Sequence, residues 1–398
     1  MSAATPPSAS PLPGASPLAG AAPLAADGLA DALRPFGQSR MLPVAAYTDE
    51  RVLAWERRHL FAGSWTCVGR RSQLAAEGNQ QEMTVGDLSV VVTVGERVRA
   101  FANACRHRGH ELLGSGERCA RRAIVCPYHG WSYDLDGTLK AAPRMGEEFE
   151  ARAFGLFELP AVDWHGWVFV NASASAMPFE EHLGTLDDLV APYAAEHLTV
   201  KAVHRYEVAA NWKIIAENYH ECYHCPLIHP ELCAVTPPTS GDNWHEPGHW
   251  LGGSMRLREH AETMSLDGRS RGIMLPGVDP REVRYLGLFP NVLLSLHPDY
   301  VMAHRMVPLA ADRTFVECSW LFDDKVTDPS YAVDFWDVTN RQDWAACESV
   351  QRGMSSPHYT PGPLAPNETA IYDWVTLLAR AYRDPAGVLG PQMAENRS

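Results

Sequence analysis

Two short motifs built from cysteine and histidine constrain most strongly how this 398-residue chain can fold. The sequence NACRHRGHELL contains Cys105 and His107, and IVCPYHGWSYDLDGTL contains Cys126 and His129. Each motif offers one thiolate and one imidazole from a tight loop, so a metal centre bound by both would join the two loops in space. A Cys₂His₂ zinc site uses the same ligands. Zinc fingers, however, usually group two cysteines and then two histidines, whereas the two residue types alternate here.

The two motifs resemble, almost residue for residue, the cluster-binding loops of the Rieske family. In a Rieske centre two thiolates hold one iron and two imidazoles hold the other. The resemblance implies that Cys105, His107, Cys126 and His129 bind a [2Fe–2S] cluster, with each loop giving one ligand to each iron. A zinc site, or no metal, is the alternative.

A second block, NWKIIAENYHECYHCPLIHPEL, places Glu217, Glu221, His224 and His229 close together. Two neutral imidazoles and one carboxylate, with open coordination positions, form the facial triad that suits Fe(II) and O₂ activation. Glu221 and His224 are at i,i+3 and share a helical face. His224 and His229 are at i,i+5, about 140° apart on a regular helix. We therefore expect Pro226 to break the helix and to let His229 turn back toward the metal.

This block resembles the iron site of the Rieske non-haem iron oxygenases. The resemblance implies that His224 and His229 bind a mononuclear Fe(II). It also implies that Asp343, in the segment FWDVTNRQDWAACESVQRGMSS, is the third ligand. Three other carboxylates of that segment compete for the position: Asp334, Asp337 and Glu348.

The same resemblance suggests catalytic roles for two residues that do not bind iron. Glu221 is expected to hydrogen-bond the free nitrogen of His224. It is also expected to contact His129 of the partner subunit, and so to serve electron transfer between subunits. Asn218 is the second residue with an expected catalytic role. Most ring-hydroxylating relatives have aspartate where Glu221 stands, and glutamate is familiar from the branch that acts on carnitine and betaine-like compounds.

The order of elements predicts an α+β protein with two domains. We expect a Rieske domain over residues 39–175 and a catalytic domain, helix-grip-like with an antiparallel sheet, over 176–388. Residues 1–38, rich in Pro and Ala, are expected to be a disordered tail, and residues 389–398 a second tail.

Several elements can be placed within these domains. A helix is expected to start at residues 48–49, and the run MTVGDLSVVVTVGERVRAFAN predicts hairpin strands. DWHGWVFVN is expected to be one closing strand, and EEHLGTLDDLVAPYAAEHL an amphipathic helix. VHRYEVAANWKIIAENYHECYHC predicts a strand and then a helix. The stretch from residue 285 to 322 predicts three antiparallel strands, and helices are expected around 332–352 and 368–383.

Charge and cysteine content limit location and partners. A net charge of −14 and a pI near 5.6 argue against nucleic acid or an anionic membrane surface as a partner. No apolar run of about 18 residues and no secretory signal are visible, so we expect a cytoplasmic protein. Nine cysteines, an odd number, then favour reduced thiols. Cys222 and Cys225 are accordingly expected to be buried structural thiols and not a redox pair.

The chain contains neither a GxGxxG motif after a strand nor a P-loop, so we expect no bound nucleotide. Electrons must then come from another protein. The family resemblance implies a separate NAD(P)H-dependent reductase that contains flavin or an iron–sulfur cluster, and a homotrimeric oxygenase.

The segments ENYHECYHCPLIHPEL, ESVQRGMSS and YTPGP look similar to those of glycine betaine and stachydrine demethylases and of their choline and carnitine relatives. This resemblance implies monooxygenation of a small quaternary or N-methylated amine, by N-demethylation or hydroxylation. Aromatic faces attract such cations, and five aromatic residues are expected to line the pocket: Tyr285, Phe289, Tyr300, Trp320 and Phe322. The alternatives are an aromatic-ring hydroxylating oxygenase, a Rieske electron carrier and a zinc-stabilised binding module.

Overall fold

The N-terminal segment packs onto the catalytic half of the chain. The computed structural model describes residues 20–390. Helix α1 (Ala26–Ala32) buries Leu29 in the core that also contains Tyr382, and the backbone N–H of Ala22 donates to the carbonyl of Tyr382 at 2.8 Å. The expected disordered tail is therefore wrong for residues 20–38, because apolar burial offsets the entropy of ordering them. The rest of that tail, residues 1–19, lies outside the described residues.

The helix expected at residues 48–49 is confirmed. Helix α2 (Ala45–Thr48) is followed by α3 (Glu50–Glu56), and Asp49 caps α3 by accepting from the backbone N–H of Arg51 at 2.8 Å. Such a cap satisfies a backbone donor that has no partner within the helix. A π-helical segment continues α3 over Arg57–Phe61.

The Rieske half is built from three small antiparallel sheets and helix α4 (Arg71–Glu77). Their strand orders are β5-β2-β3-β4-β9, β6-β7-β8 and β1-β11-β10. The strands are β1 (Thr66–Arg70), β2 (Gln80–Val85), β3 (Leu88–Val94), β4 (Val98–Ala102), β5 (Arg118–Cys119), β6 (Ile124–Val125), β7 (Ser132–Tyr133), β8 (Leu139–Ala141), β9 (Glu158–Leu159), β10 (Ala161–Trp164) and β11 (Trp167–Val170).

The catalytic half is built on one seven-stranded antiparallel sheet of order β12-β18-β17-β16-β15-β14-β13. Its strands are β12 (Thr199–Val208), β13 (Asp242–Trp244), β14 (Trp250–Arg256), β15 (Glu282–Leu288), β16 (Val292–Leu296), β17 (Val301–Ala310) and β18 (Arg313–Phe322). The helices are α5 (Phe179–Leu183), α6 (Leu186–Val190), α7 (Trp212–Tyr219), α8 (Cys225–Ile228), α9 (Pro230–Val235), α10 (Ser330–Met354), α11 (Thr369–Arg383) and α12 (Pro385–Leu389). The α+β class is confirmed.

Several local expectations need correction. DWHGWVFVN is not one strand but the hairpin of β10 and β11, which turns at His165 and Gly166. The region from residue 282 to 322 holds four strands and not three. The expected helix after residue 179 is interrupted at Gly184, where φ is +54° and a Cβ would lie 1.9 Å from the carbonyl oxygen of Pro247. The tail expected from residue 389 also fails at its start, because Leu389 is buried.

The two halves share a core. Cys67 of β1 exchanges two hydrogen bonds of 3.0 Å with the side chain of Asn291, which lies between β15 and β16. Apolar side chains of β1 and β11 pack in one cluster with side chains of β15, β16 and β17. Helix α7 packs against β17, and α10 packs against both α7 and β12. This packing fixes α10, which carries Asp343, and α7, which directly precedes the segment with His224 and His229.

Candidate metal centres

The two cluster motifs form matching turns in the Rieske half. The carbonyl of Cys105 accepts from the N–H of Gly109 at 2.9 Å, and that of Cys126 accepts from the N–H of Gly130 at 3.1 Å. Both glycines have positive φ, +75° and +74°, which explains why glycine stands at the fourth position after each cysteine. The sequence therefore builds two equivalent loops that face each other.

The four predicted cluster residues come together between these loops. The rings of His107 and His129 lie 4.7 Å apart, and the His107 ring stacks on Trp131 at 5.0 Å. Cys105 and Cys126 are buried, whereas His129 is exposed. Such an arrangement places the thiols inside and the imidazoles toward the surface.

The chemistry of the donors fits a metal cluster. Burial raises the pKa of the Cys126 thiol, and the adjacent Cys105 thiol raises it further. Two neighbouring buried thiolates need a cation to stabilise them, and iron supplies that charge. The phenol of Tyr133, 3.3 Å from the Cys105 sulfur, is placed to hydrogen-bond it.

His224, His229 and Asp343 form a second group whose ligand atoms all lie within 4.8 Å of one another. The Nε2 atom of His229 is 3.1 Å from Nε2 of His224 and 2.8 Å from Oδ1 of Asp343. This geometry offers two imidazoles and one carboxylate to a single ion. It is the arrangement that suits Fe(II) with open coordination positions.

The backbone reaches this geometry by a different route from the one expected. Helix α7 ends at Tyr219, and Glu221 lies in the turn that follows it, so the contact of Glu221 with His224 does not come from a shared helical face. Pro226 occupies the first turn of α8, where proline is tolerated. The break falls at His229 itself, between α8 and α9, with φ −121° and ψ 69°. The expected break at Pro226 is therefore wrong in position, although a break does occur.

Two side chains orient the imidazoles from behind. The carboxylate of Glu221 hydrogen-bonds Nδ1 of His224, as expected, and Oε1 of Gln342 lies 2.7 Å from Nδ1 of His229. Both rings consequently direct Nε2 toward Asp343. Outer partners of this kind fix the orientation of metal-binding histidines.

The electrostatics of the group favour a cation. Burial opposes protonation of His224, but hydrogen bonds to Asp343 and Glu221 outweigh it and raise the pKa of His224 to about 9. The pKa of Asp343 is lowered despite its burial, because both histidines hydrogen-bond it. A divalent ion that displaces the imidazole protons would take over this stabilisation.

The three competing carboxylates point elsewhere. Asp337 accepts from the hydroxyl of Tyr206 at 2.7 Å and pairs with Arg341 at 2.7 Å. Glu348 accepts from the backbone N–H of Ala209 at 3.2 Å, and Asp334 is exposed. Among the carboxylates of α10, Asp343 is therefore the one that the structure places against the histidines.

A cavity of about 130 Å³ opens beside these residues. Of the five aromatic residues expected to line it, Tyr285 does so, and the other four are packed in hydrophobic cores: Phe289, Tyr300, Trp320 and Phe322. The sequence reasoning missed Tyr219 and Trp336, which do line it. Tyr219 directly follows Asn218, a candidate catalytic residue that also lines the cavity, so its place in the motif was an available signal.

Asn218 lines the cavity beside the candidate iron ligands, whereas Glu217 does not. The amide nitrogen of Asn218 is 3.5 Å from Nε2 of His224. Glu217 is buried away from this cavity and accepts from the hydroxyl of Tyr47 at 2.7 Å. Burial raises the pKa of Glu217 to about 8, although the Tyr47 hydrogen bond and the charge of Lys213 oppose the shift.

Cys222 and Cys225 correct another expectation. The structure joins them in a disulfide on either side of His224, whereas the other cysteines of the described residues are free. Their Cα atoms are 4.9 Å apart, which is within the reach of a disulfide. The turn that brings His224 to the site also brings these two sulfurs together.

Comparison with known proteins identifies the class. A model of the Rieske [2Fe–2S] domain matches residues 64–160, and a model of the ring hydroxylating alpha subunit (catalytic domain) matches residues 195–384. The chain therefore belongs to the Rieske non-haem iron oxygenases, as an alpha subunit. The expected boundaries, 39–175 and 176–388, remain predictions, and the matched ranges lie inside them.

Individual relatives cover nearly the whole chain. It is 34% identical to the glycine betaine monooxygenase oxygenase subunit of Chromohalobacter salexigens, over 89% of this chain and 90% of that protein. It is 30% identical to the carnitine monooxygenase oxygenase subunit of Acinetobacter pittii, over 80% of this chain and 86% of that protein. A solved structure of the quaternary ammonium Rieske monooxygenase CntA matches with a TM-score of 0.73 and 26% identity, over 92% of this chain and 100% of that chain.

The chain is therefore an oxidoreductase with two cofactors, a Rieske [2Fe–2S] cluster and a mononuclear iron. The catalytic domain excludes a simple Rieske electron carrier, and the Rieske domain excludes a zinc-stabilised module. Oxygenase subunits of this kind take electrons from a separate reductase. Among the residues that the structure describes, no helix is both long enough and apolar enough to cross a membrane.

Proposed function

We propose that this oxygenase acts on a small quaternary or N-methylated ammonium compound. It would insert oxygen at a carbon next to nitrogen, which leads to N-demethylation or to a hydroxylated product. The carrying observation is the charge of the cavity beside the candidate iron ligands. Glu221 and Asp343 line it, and no Lys or Arg is among the described residues around it. An Fe(II) ion would balance these two carboxylates, but the described residues around the cavity still offer no Lys or Arg side chain to the carboxylate of an aromatic acid.

Aromatic faces in the same cavity support this substrate class. The ring of Tyr285 lies 6.1 Å from that of Tyr219 and 6.4 Å from that of Trp336. An ammonium group within about 6 Å of such rings gains roughly 0.5–2 kcal/mol. The relatives named for glycine betaine and carnitine point to the same chemistry.

The proposal assigns the metal ligands as follows. Cys105, His107, Cys126 and His129 would hold the cluster, and His224, His229 and Asp343 would hold the iron. When bound, the iron supplies O₂ activation and the cluster supplies electrons. Glu221 and Gln342 would hold the imidazole rings in place, and Asn218 would contact the open side of the site.

The proposal also includes a partner protein, an oligomeric state and a location. A separate NAD(P)H-dependent reductase with flavin or an iron–sulfur cluster would reduce the Rieske centre. A homotrimer would bring Glu221 close to His129 of the partner subunit. A cytoplasmic location belongs to the same proposal.

Substrate-dependent O₂ consumption with a surrogate reductase tests the substrate class. Glycine betaine, carnitine and choline should stimulate uptake, with formaldehyde released where a methyl group is lost. The carbon isostere 3,3-dimethylbutyrate is the matched control for glycine betaine, because it keeps the shape and the carboxylate and removes only the positive charge. Turnover of benzoate without any response to the ammonium compounds would instead assign the chain to ring hydroxylation.

The aromatic residues can be tested separately. Tyr285→Leu should raise KM for the ammonium substrate by about 2–30-fold, which corresponds to the loss of one cation–π contact. Phe289→Leu is the matched control, because Phe289 lies in a hydrophobic core away from the cavity. Equal KM changes in the two variants would contradict an aromatic contact with the substrate.

A further inference from the structure

A second cavity, of about 370 Å³, lies between the two halves of the molecule and is separate from the candidate active site. Its walls come from β1, α4, β2 and β5 on the Rieske side and from β12, β17 and β18 on the catalytic side. Its charged lining residues are Arg70, Glu77, Arg118, Arg205, Arg305 and Glu317. It shares no lining residue with the cavity beside the candidate iron ligands.

The charges around this interdomain cavity do not balance. Arg118 pairs with Glu77 at 2.6 Å. Glu317 accepts from Arg205 at 2.9 Å and from Arg305 at 3.3 Å, so one carboxylate serves two guanidinium groups. The lining therefore carries an excess of two positive charges.

Arg70 accounts for one of these two charges. It is only 4% exposed, and its terminal nitrogens donate to the backbone carbonyls of His165 and Ala195 at 2.8 and 2.9 Å. Within residues 20–390 no carboxylate lies within 4.0 Å of its guanidinium, and its Nε has no hydrogen-bond partner. Burial lowers the pKa of Arg70 to about 10, and the charges of Cys67 and of the more distant carboxylates Asp163 and Glu196 only partly oppose the shift. A buried cation without a directly paired anion is costly.

Arg305, on the opposite wall, pairs with Glu317. Its Nε, like that of Arg70, is buried and lacks a hydrogen-bond partner among the described residues. Arg70 and Arg305 line two adjoining cavities together, so they face one shared space. Arginine forks of this kind match the oxygen atoms of phosphate and carboxylate groups.

We propose that the interdomain cavity binds a small oxyanion with two negative charges, hydrogen phosphate or a short dicarboxylate, between Arg70 and Arg305. The anion neutralises the excess charge of the lining. Because Arg70 belongs to the Rieske half and Arg305 to the catalytic half, the bound anion also ties the two halves together. It therefore stabilises the folded enzyme without touching the substrate.

Binding is measured on the holoenzyme by equilibrium dialysis with radiolabelled phosphate, and separately with labelled succinate, at constant ionic strength. The two ligands distinguish phosphate from a dicarboxylate as the preferred form. We expect saturable binding of one of them, together with a rise in the unfolding temperature that chloride at the same ionic strength does not produce. Rieske absorbance reports that each preparation is folded.

Two substitutions locate the site. Arg305→Gln and Arg205→Gln should each weaken binding at least 10-fold, and neither touches the proposed metal ligands. Arg313→Gln is the matched control, because Arg313 lies on β18, the strand between those of Arg205 and Arg305, but pairs with Glu207 and does not line the cavity. Arg70→Gln is not used to locate the site, because loss of a buried guanidinium can prevent folding.

Three results would overturn the proposal. The first is an absence of saturable binding for both anions in the unmodified enzyme. The second is equal binding by Arg305→Gln and by the Arg313→Gln control. The third is equal thermal stabilisation by chloride, which would identify a general ionic effect.

Discussion

Replacing Glu221 by glutamine tests whether this residue only orients His224 or also carries electrons between subunits. In the structure its carboxylate hydrogen-bonds Nδ1 of His224 and accepts from the backbone N–H of the same residue at 3.2 Å. A glutamine side chain at this position would keep the shape and one acceptor oxygen but lose the negative charge. The substitution therefore removes charge with little change in packing.

The expected size of the effect separates the two roles. A hydrogen bond to a charged group is worth about 1.5–3 kcal/mol and a neutral one about 0.5–1.5 kcal/mol. Losing the charge on Glu221 therefore weakens its hydrogen bond to His224 by about 1–2 kcal/mol. This corresponds to a change of roughly 5–30-fold in an equilibrium constant or a rate. This agrees with the 10–100-fold losses that are typical of outer partners of metal ligands. A fall of more than about 1000-fold in electron transfer exceeds what orientation alone explains.

The assay is single-turnover reoxidation of the reduced Rieske cluster on iron-replete Glu221→Gln protein, with substrate and O₂ present. We expect both metal centres to be occupied and reoxidation to be slower by orders of magnitude. Gln342→Leu is the matched control, because it removes the corresponding partner of His229 and should reoxidise almost normally once iron is restored. Normal reoxidation in Glu221→Gln would refute the electron-transfer role.

Three further predictions concern the iron site and the buried groups beneath α7. Asp343→Ala should lose the mononuclear iron but keep the Rieske EPR signal, whereas Asp337→Ala should retain iron and activity, as metal analysis would show. Because the pKa of Glu217 is raised to about 8, stability should fall by about 1.4 kcal/mol per pH unit from roughly pH 4.5 to 8, and urea denaturation of Glu217→Gln should lose this slope. Lys213→Met should cost about 3–5 kcal/mol by urea denaturation, because it leaves the carboxylate of Glu56 buried and unpaired. Adding Glu56→Leu should restore much of that loss.

The cluster loops could be predicted because their chemistry is local. Each loop needs a cysteine, a histidine and a glycine at fixed spacing, and the glycines at 109 and 130 adopt the positive φ that closes each turn. Short-range geometry of this kind is readable from sequence. The packing of residues 20–38 was not readable, because a composition rich in Pro and Ala does not reveal that Leu29 meets the core around α11.

The residues of the candidate iron site could be predicted, but the backbone conformation that brings them together could not. The triad His224, His229 and Asp343 comes together as expected, yet helical arithmetic led to the wrong position for the break. The expected break required α7 to continue past residue 219. In the structure α7 ends there, and a turn and two short helices follow it. Asp343 itself was assigned by motif register, since no local signal separates it from Asp337 on the same helix.

The cavity beside the candidate iron ligands shows why aromatic residues on strands are a poor guide to the lining of a pocket. Trp336 lines the cavity, and its Nε1–H donates to the hydroxyl of Tyr300 at 2.7 Å. Tyr300 in turn donates to the carbonyl of Met264 at 2.9 Å, so it supports the wall from behind instead of forming it. The lining residues come from α7, α10 and several strands that meet only in the folded protein. Alternation along a strand shows which side chains share a face, but the helix that covers that face decides which of them reach the substrate.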